Sequence, residues 1–218
     1  MKATTKINKE TAAINDTAFF EKANIRKKIS ETTLGDCRSK MVMEPWTERD
    51  EQLTIDYSFR DTRHGEILVA ATAKGISYLG FTNNGRKKAM QDFKKRFPGN
   101  PITEMQSAWH QLAVKRMNDT VADKPLHLHL RGSAFQLKIW KRLMDIPVGG
   151  VATYGGLGDG PLQARATGAA VGANPVGYLL ACHRVVRSDG SFEGYHWGND
   201  IKKNLLKYEA AIVSKQKK

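Results

Sequence analysis

The segment Leu179-Leu180-Ala181-Cys182-His183-Arg184-Val185-Val186 sets one of the chain's two cysteines at the end of an apolar run, beside a histidine and an arginine. A thiol at such an edge, with basic neighbours, can have its pKa lowered and be held as a nucleophilic thiolate. His183 follows directly; on a regular strand its side chain would point away from that of Cys182, so contact between the two needs a turn or a bridging water. Arg184 reads as a maker of structural hydrogen bonds.

The rest of the chain narrows the setting. At 218 residues it can hold one large domain or two small ones with a real core. Lys+Arg number 35 against 22 Asp+Glu, a net charge of +13. That excess slightly favours a polyanionic partner such as nucleic acid, because each cation set on a phosphate releases a counterion, over a basic protein with no nucleic-acid role. Cys37 and Cys182 lie far apart, which suggests no disulfide framework and a reducing cytosol. Cys37 reads as an inert thiol. The polar, lysine-rich start and the lack of any membrane-length apolar stretch point to a soluble, cytoplasmic protein.

Stepping outward, residues 1–48 are polar and basic and read as a flexible arm, with a short helix possible through Phe19–Ile25. The arm either adds affinity for DNA or is simply solvated. From Leu53 to Phe59 apolar residues alternate, and Glu66–Thr72 and Ile76–Phe81 follow, predicting an antiparallel meander. Helices are predicted over Gly85–Phe97 and about Thr103–Met117, the second burying Met105, Ala108, Trp109 and Leu112. In Leu126-His127-Leu128-His129-Leu130 the leucines share one face and the histidines the other. An exposed histidine face is preferred there to a metal site, and no metal is expected. Ser133 and Gln136 form a capping box that opens a helix carrying Phe135, Ile139, Trp140 and Leu143 on one face. Domains are expected over 49–130 and 131–218.

Between Thr153 and Asn174 two short helices joined by a tight turn would fit, the second from near Leu162 to near Asn174. Its residues Ala164, Ala166, Thr167, Gly168, Ala169, Ala170 and Gly172 are small, and Arg165 is its one charge. Small residues permit close packing on another helix. They equally permit a helix to lie in a DNA groove with one arginine entering the stack where a base has left.

Taken together, Ala164-Arg165-Ala166, Gly172-Ala173-Asn174-Pro175-Val176, Cys182-His183-Arg184, Gly194-Tyr195-His196-Trp197-Gly198 and Lys207-Tyr208-Glu209 resemble, in this order, the O6-alkylguanine-DNA alkyltransferases, especially the C-terminal part of the Ada type. The resemblance runs from about Leu53 to Glu209. It implies an α+β protein: a small ribonuclease-H-like domain with an antiparallel sheet, then a mostly helical, winged-helix-like domain. The implied partner is double-stranded DNA containing alkylated guanine, bound by a monomer away from membranes. The alkyl group of O6-alkylguanine, and of O4-alkylthymine, would pass irreversibly to Cys182, once per molecule and without a cofactor. By resemblance His183 and Glu209 are base and orienter. Arg165 replaces the extruded base and Tyr154 helps rotate it, on a helix–turn–helix that includes Ala164, Ala166 and Gly168. Asn174 is the hinge, and Tyr195 borders the pocket.

Two departures stand out. Ala181 replaces the family's usual proline, which frees a dihedral and opens a wall of the alkyl pocket. The stretch between Tyr154 and Arg165 is about three residues short, and its four glycines argue against a helix at about 1 kcal/mol each. The metal-binding and transcription-factor regions of Ada proteins have no counterpart in the sequence. The rival enzyme reading is a cysteine hydrolase, which usually presents its cysteine at a helix N-terminus. The rival from another class is a non-catalytic reader of alkylated DNA.

Overall fold

The computed structural model describes residues 21–31, 41–119 and 124–216. Cys37 and Phe19–Phe20 lie outside them. In chain order the elements are α1 (Lys22–Glu31), β1 (Met41–Pro45), β2 (Ile55–Thr62), β3 (Gly65–Thr72), β4 (Gly75–Phe81), α2 (Arg86–Arg96), β5 (Ile102–Glu104), α3 (Ala108–Asn118) and β6 (Leu126–Leu130). The C-terminal half adds α4 (Ala134–Leu143), β7 (Ala152–Thr153), α5 (Tyr154–Leu157), α6 (Ala164–Gly172), β8 (Val185–Val186) and α7 (Asn199–Gln216).

The expected meander is present: β2 pairs antiparallel with β3, and β3 with β4. The sheet as a whole is mixed rather than antiparallel. Its order is β1-β6-β4-β3-β2-β5, with β1–β6, β4–β6 and β2–β5 parallel. Helices supply the crossovers that parallel neighbours require. Both faces of its centre are covered. Ile67, Val69 and Ala71 of β3 face the large core, whereas Leu68 and Ala70 meet Ala89, Phe93 and Phe97 of α2 and its end.

Three expectations change here. The segment 41–45, placed in the arm by its composition, is a strand on the sheet, and Ile25 of α1 is buried against Val151, Val186, Phe192 and Leu206. Two isolated apolar positions in a short helix, and five strand residues, are too few to shift local composition. The second helix begins at Ala108, not Thr103, because 102–104 pair with β2. It buries His110, Ala113 and Met117, while Met105 is exposed and Trp109 and Leu112 pack at the core's margin. His129 is fully buried rather than on an exposed face, since Trp46 stacks on it at 4.7 Å and Asp50 bonds it.

Ser133 caps α4 as its box predicts: Oγ accepts from Gln136 N at 3.2 Å, and Gln136 Oε1 from Ser133 N at 2.9 Å. The indole of Trp140 donates to Ala170 O at 2.8 Å and so pins α6 onto α4. The two halves are stitched by backbone. Leu79 N of β4 donates to Pro175 O at 2.9 Å, and Gly177 N donates to Leu79 O at 2.8 Å. The segment leading to Cys182 therefore hangs on β4, an inner strand, past the point where β4 pairs with β6. Among the described residues no helix is long and apolar enough to cross a membrane.

Candidate active site

Asn174 follows α6 and is fully buried. Its Oδ1 accepts from Val176 N at 2.9 Å, while Nδ2 donates to Val176 O at 3.3 Å and Leu180 O at 3.1 Å. These bonds tie both ends of a tight loop to one side chain. The same Nδ2 lies 3.1 Å from Cys182 Sγ. Gly177 within the loop has no room for a side chain: a Cβ there would sit 2.9 Å from the Trp197 ring.

Cys182, His183 and Arg184 form one turn of 3-10 helix rather than a strand. That turn removes the geometric objection to neighbouring residues sharing a site. Ala181 keeps φ at −68°, the value proline would impose, so the turn forms without the ring.

Cys182 is buried, with the Tyr195 hydroxyl 3.7 Å from its sulfur. Burial pushes its thiol pKa up, and bonds from Asn174 and Tyr195 and the charge of Lys202 only partly offset this. The lowered pKa expected from the basic neighbours is therefore corrected. Arg184 points to Glu209 and Ile146 O, not to the sulfur. The resting sulfur is a thiol and needs a base.

His183 is fully buried and bonds Glu209 Oε1 through Nε2 at 2.8 Å. With Nε2 donating, Nδ1 is the acceptor, and it is buried with no hydrogen-bond partner among the described residues. Burial lowers the His183 pKa, Glu209 opposing, so the ring is neutral and can accept a proton. Glu209 comes from α7. Burial alone would raise its pKa, but Arg184 and His183 overcome this and hold it well below the usual carboxylate range. Arg184 grips it through Nε at 3.0 and 3.1 Å and Nη2 at 2.8 Å, and Gly149 N adds a bond at 3.2 Å.

The DNA-facing candidates lie on α5 and α6. Thr153 Oγ1 accepts from Gly156 N at 2.9 Å and caps α5, a single helical turn that forms despite its glycines. Asp159 fastens the following loop to α4 through Lys138 at 2.8 Å and Arg142 at 2.7 Å. This tethering offsets the entropy that argued against a helix. Along α6, Thr167, Ala170 and Val171 are buried, whereas Arg165, Ala166, Ala169 and Gly172 are exposed and Ala164 and Gly168 half-buried. Small residues thus serve packing on one face and leave a shallow surface on the other. Tyr154 is half-buried, and a Cβ on Gly168 would come within 3.7 Å of its ring. Leu162, just before α6, is fully exposed.

Sequence reasoning missed Lys202. It is buried on α7, where Lys202, Leu205, Leu206 and Glu209 form one inward stripe, and its Nζ donates to Val185 O at 2.7 Å. A lysine at helical spacing within that apolar stripe was the available signal. Burial brings its pKa down to about 8. Among the described residues no group of three or more His, Cys, Asp or Glu is placed to hold a metal.

Residues 134–211 match the family model described as 6-O-methylguanine DNA methyltransferase, DNA binding domain. The chain is 33% identical over 172 residues to the inducible methylated-DNA–protein-cysteine methyltransferase of Bacillus subtilis, covering 74% of this chain and 93% of that protein. It is 30% identical over 206 residues to the bifunctional transcriptional activator/DNA repair enzyme Ada of Escherichia coli, covering 92% of this chain but only 56% of Ada. In three dimensions it resembles the Mycobacterium tuberculosis OGT crystallised in complex with DNA. The TM-score is 0.57 at 26% identity, over 72% of this chain and 93% of that one. A thiol, a neutral imidazole and a carboxylate assembled on this scaffold, together with these matches, show that the chain belongs to the methylated-DNA–protein-cysteine methyltransferase family.

Proposed function

We propose that this protein repairs double-stranded DNA by moving the alkyl group of O6-alkylguanine, and of O4-alkylthymine, onto Cys182. The observation that carries the reading is the pairing of a buried thiol with a neighbouring, neutral His183 whose Nδ1 has no partner among the described residues. A bridging water at Nδ1 relays the thiol proton to the imidazole, which Glu209 orients and stabilises as it gains charge. The carbon–sulfur bond forms as the carbon–O6 bond breaks. The electron pair leaves with guanine, which takes up one proton, so protons balance. Asn174 donates to the sulfur throughout, and Tyr195 borders the alkyl group.

The base reaches this buried sulfur only by leaving the duplex, whose unstacking costs a few kcal/mol. Exposed Arg165 fills the gap, Tyr154 guides rotation, and Ala164, Ala166 and Gly168 allow the close approach of α6 to the minor groove. The working division is residues 49–130 as support and 131–218 as the acting unit, in a cytoplasmic monomer needing no cofactor. A thioether has no easy return, so each molecule reacts once.

The test is intact-mass spectrometry with peptide mapping after incubation with excess duplex containing O6-methylguanine. The expected result is one added methylene on Cys182, stopping at one per molecule. Tight binding without mass gain would replace this reading with that of a lesion-binding protein.

A further inference from the structure

Tyr178 is the one described non-glycine residue with positive φ, at 63°. Left-handed backbone is uncommon for a bulky side chain and persists where surroundings hold it. Here Leu179 N donates to Gly177 O at 2.7 Å across Tyr178, and two rings pack on its side chain. Tyr178 lies nearly parallel to His183, 6° between planes with centroids 5.7 Å apart. The ring of His64 also packs on Tyr178, centroids 4.9 Å apart and tilted by 34°.

His64 is at the tip of the β2–β3 hairpin, in the opposite half of the molecule from Cys182. It meets Tyr208 edge-on at 4.8 Å. Its neighbour Arg63 lies over the Tyr208 ring at 5.1 Å and bonds the Tyr208 hydroxyl. The backbone of Arg63 is anchored on Asn118 of α3 at 2.9 Å. Tyr208 immediately precedes Glu209 on α7. One hairpin tip therefore packs on Tyr178, which stacks on His183, and on Tyr208 of the helix that carries Glu209.

We propose that Tyr178 and His64 are positioning residues of the alkyl-transfer reaction, a ring stack that shields His183 from bulk water and keeps it aligned on Glu209. This rests on the function proposed above. Fixing the imidazole matters because a small misplacement of a reacting group costs large factors in rate. His183 is fully buried, and the parallel Tyr178 ring forms part of that cover. The charged and titratable groups acting on it are Glu209, Arg184 and Lys202 around His183, Arg63, Glu209 and His183 around His64, and Glu209, Arg184, Arg63 and Arg116 around Tyr178.

The experiment compares Tyr178→Leu, Tyr178→Phe and His64→Phe in the full chain, by single-turnover methyl transfer from pH 5 to 8 and by NMR titration of His183. With Tyr178→Leu, transfer slows roughly tenfold. Water then reaches His183, so its pKa rises and the acid limb of the rate profile moves to higher pH. Both Phe variants retain the rings and stay near the parent rate and profile. A Tyr178→Leu protein with lowered melting temperature but unchanged rate and unchanged His183 titration overturns the proposal, as do Phe variants that lose as much as Leu. Should Tyr178→Leu not fold, His64→Leu removes the outer ring and is read the same way. If the parent protein gains no methyl group, the functional reading fails, yet the NMR titration still decides whether the stack controls His183.

Discussion

His129 and His183 are both fully buried, and both bond a carboxylate through Nε2: Asp50 at 3.3 Å and Glu209 at 2.8 Å. Burial lowers both pKa values, so both rings are neutral. Their second nitrogens differ. His129 Nδ1 is matched by the Thr72 hydroxyl at 2.9 Å, and Trp46 closes its face. His183 Nδ1 has no partner among the described residues and lies in the turn that carries a thiol. A buried polar group with every position satisfied rigidifies a core, whereas one left open stores a binding capacity that folding did not use. Two imidazole–carboxylate pairs of the same composition thus divide into a staple in the sheet and a base at the reactive sulfur.

Cys182→Ala breaks the comparison most severely. It should abolish methyl transfer altogether while leaving affinity for the lesion duplex largely intact, read by mass gain and a binding titration. Residual transfer would remove Cys182 from the mechanism. Next comes the carboxylate exchange. Glu209→Gln leaves Arg184 buried opposite a neutral group, and should cost about 3 kcal/mol of stability. Loss of the orienter should also slow transfer by on the order of 10²-fold. Asp50→Asn is the matching change in the sheet. Its partner Lys74 is 38% exposed, so the pair is screened and the cost should be about 1 kcal/mol. Transfer per folded molecule should stay at the parent rate. Equal kinetic losses from both variants would erase the distinction between staple and base.

The same contrast shows what the sequence makes legible. Cys182, His183, Asn174 and Glu209 are visible because their types sit in a recognisable order along the chain. The meander is visible because alternation is local, and the cap of α4 because its two residues are three apart. What stays hidden depends on distant partners. His129 reads as exposed until Trp46 and Asp50 arrive from outside the meander. The parallel edges of the sheet, and the strand 41–45, are set by pairing that no local pattern encodes. Raised thiol pKa is another case: basic neighbours in sequence argue for a thiolate, but burial in the folded protein decides otherwise. The glycine-rich stretch opens with a helical turn at 154–157 and is held by Thr153, Lys138 and Arg142, each supplied from outside it.

Arg165→Ala gives a smaller effect than Glu209→Gln. If Arg165 fills the gap left by a flipped base, repair of O6-methylguanine in duplex DNA should slow roughly tenfold, about 1.4 kcal/mol of the few that unstacking costs. Reaction with the free modified base should change little. Equal losses with both substrates would make Arg165 a structural residue of α6.

The smallest effect is on acid stability, and its sign follows from the shifts. His64, His110, His129 and His183 are all lowered from 6.5, His64 to about 4. Asp50 and Glu209 are lowered from 3.8 and 4.5. For each group the unfolded chain binds the proton more readily, so stability rises with pH. The histidine contribution is complete above 6.5 and is lost as pH falls below it. The carboxylate contribution is complete above 4.5 and is lost as pH drops through that range. Melting temperature should therefore fall between pH 7 and pH 5, before the carboxylates begin to titrate. His129→Gln should make that fall shallower while leaving transfer unchanged, since it removes one buried neutral ring from the sheet and none from the active site. A melting temperature flat from pH 7 to pH 5 would mean that the buried rings accept protons as easily folded as unfolded. His183 would then not be the dry, neutral base on which the contrast with His129 depends.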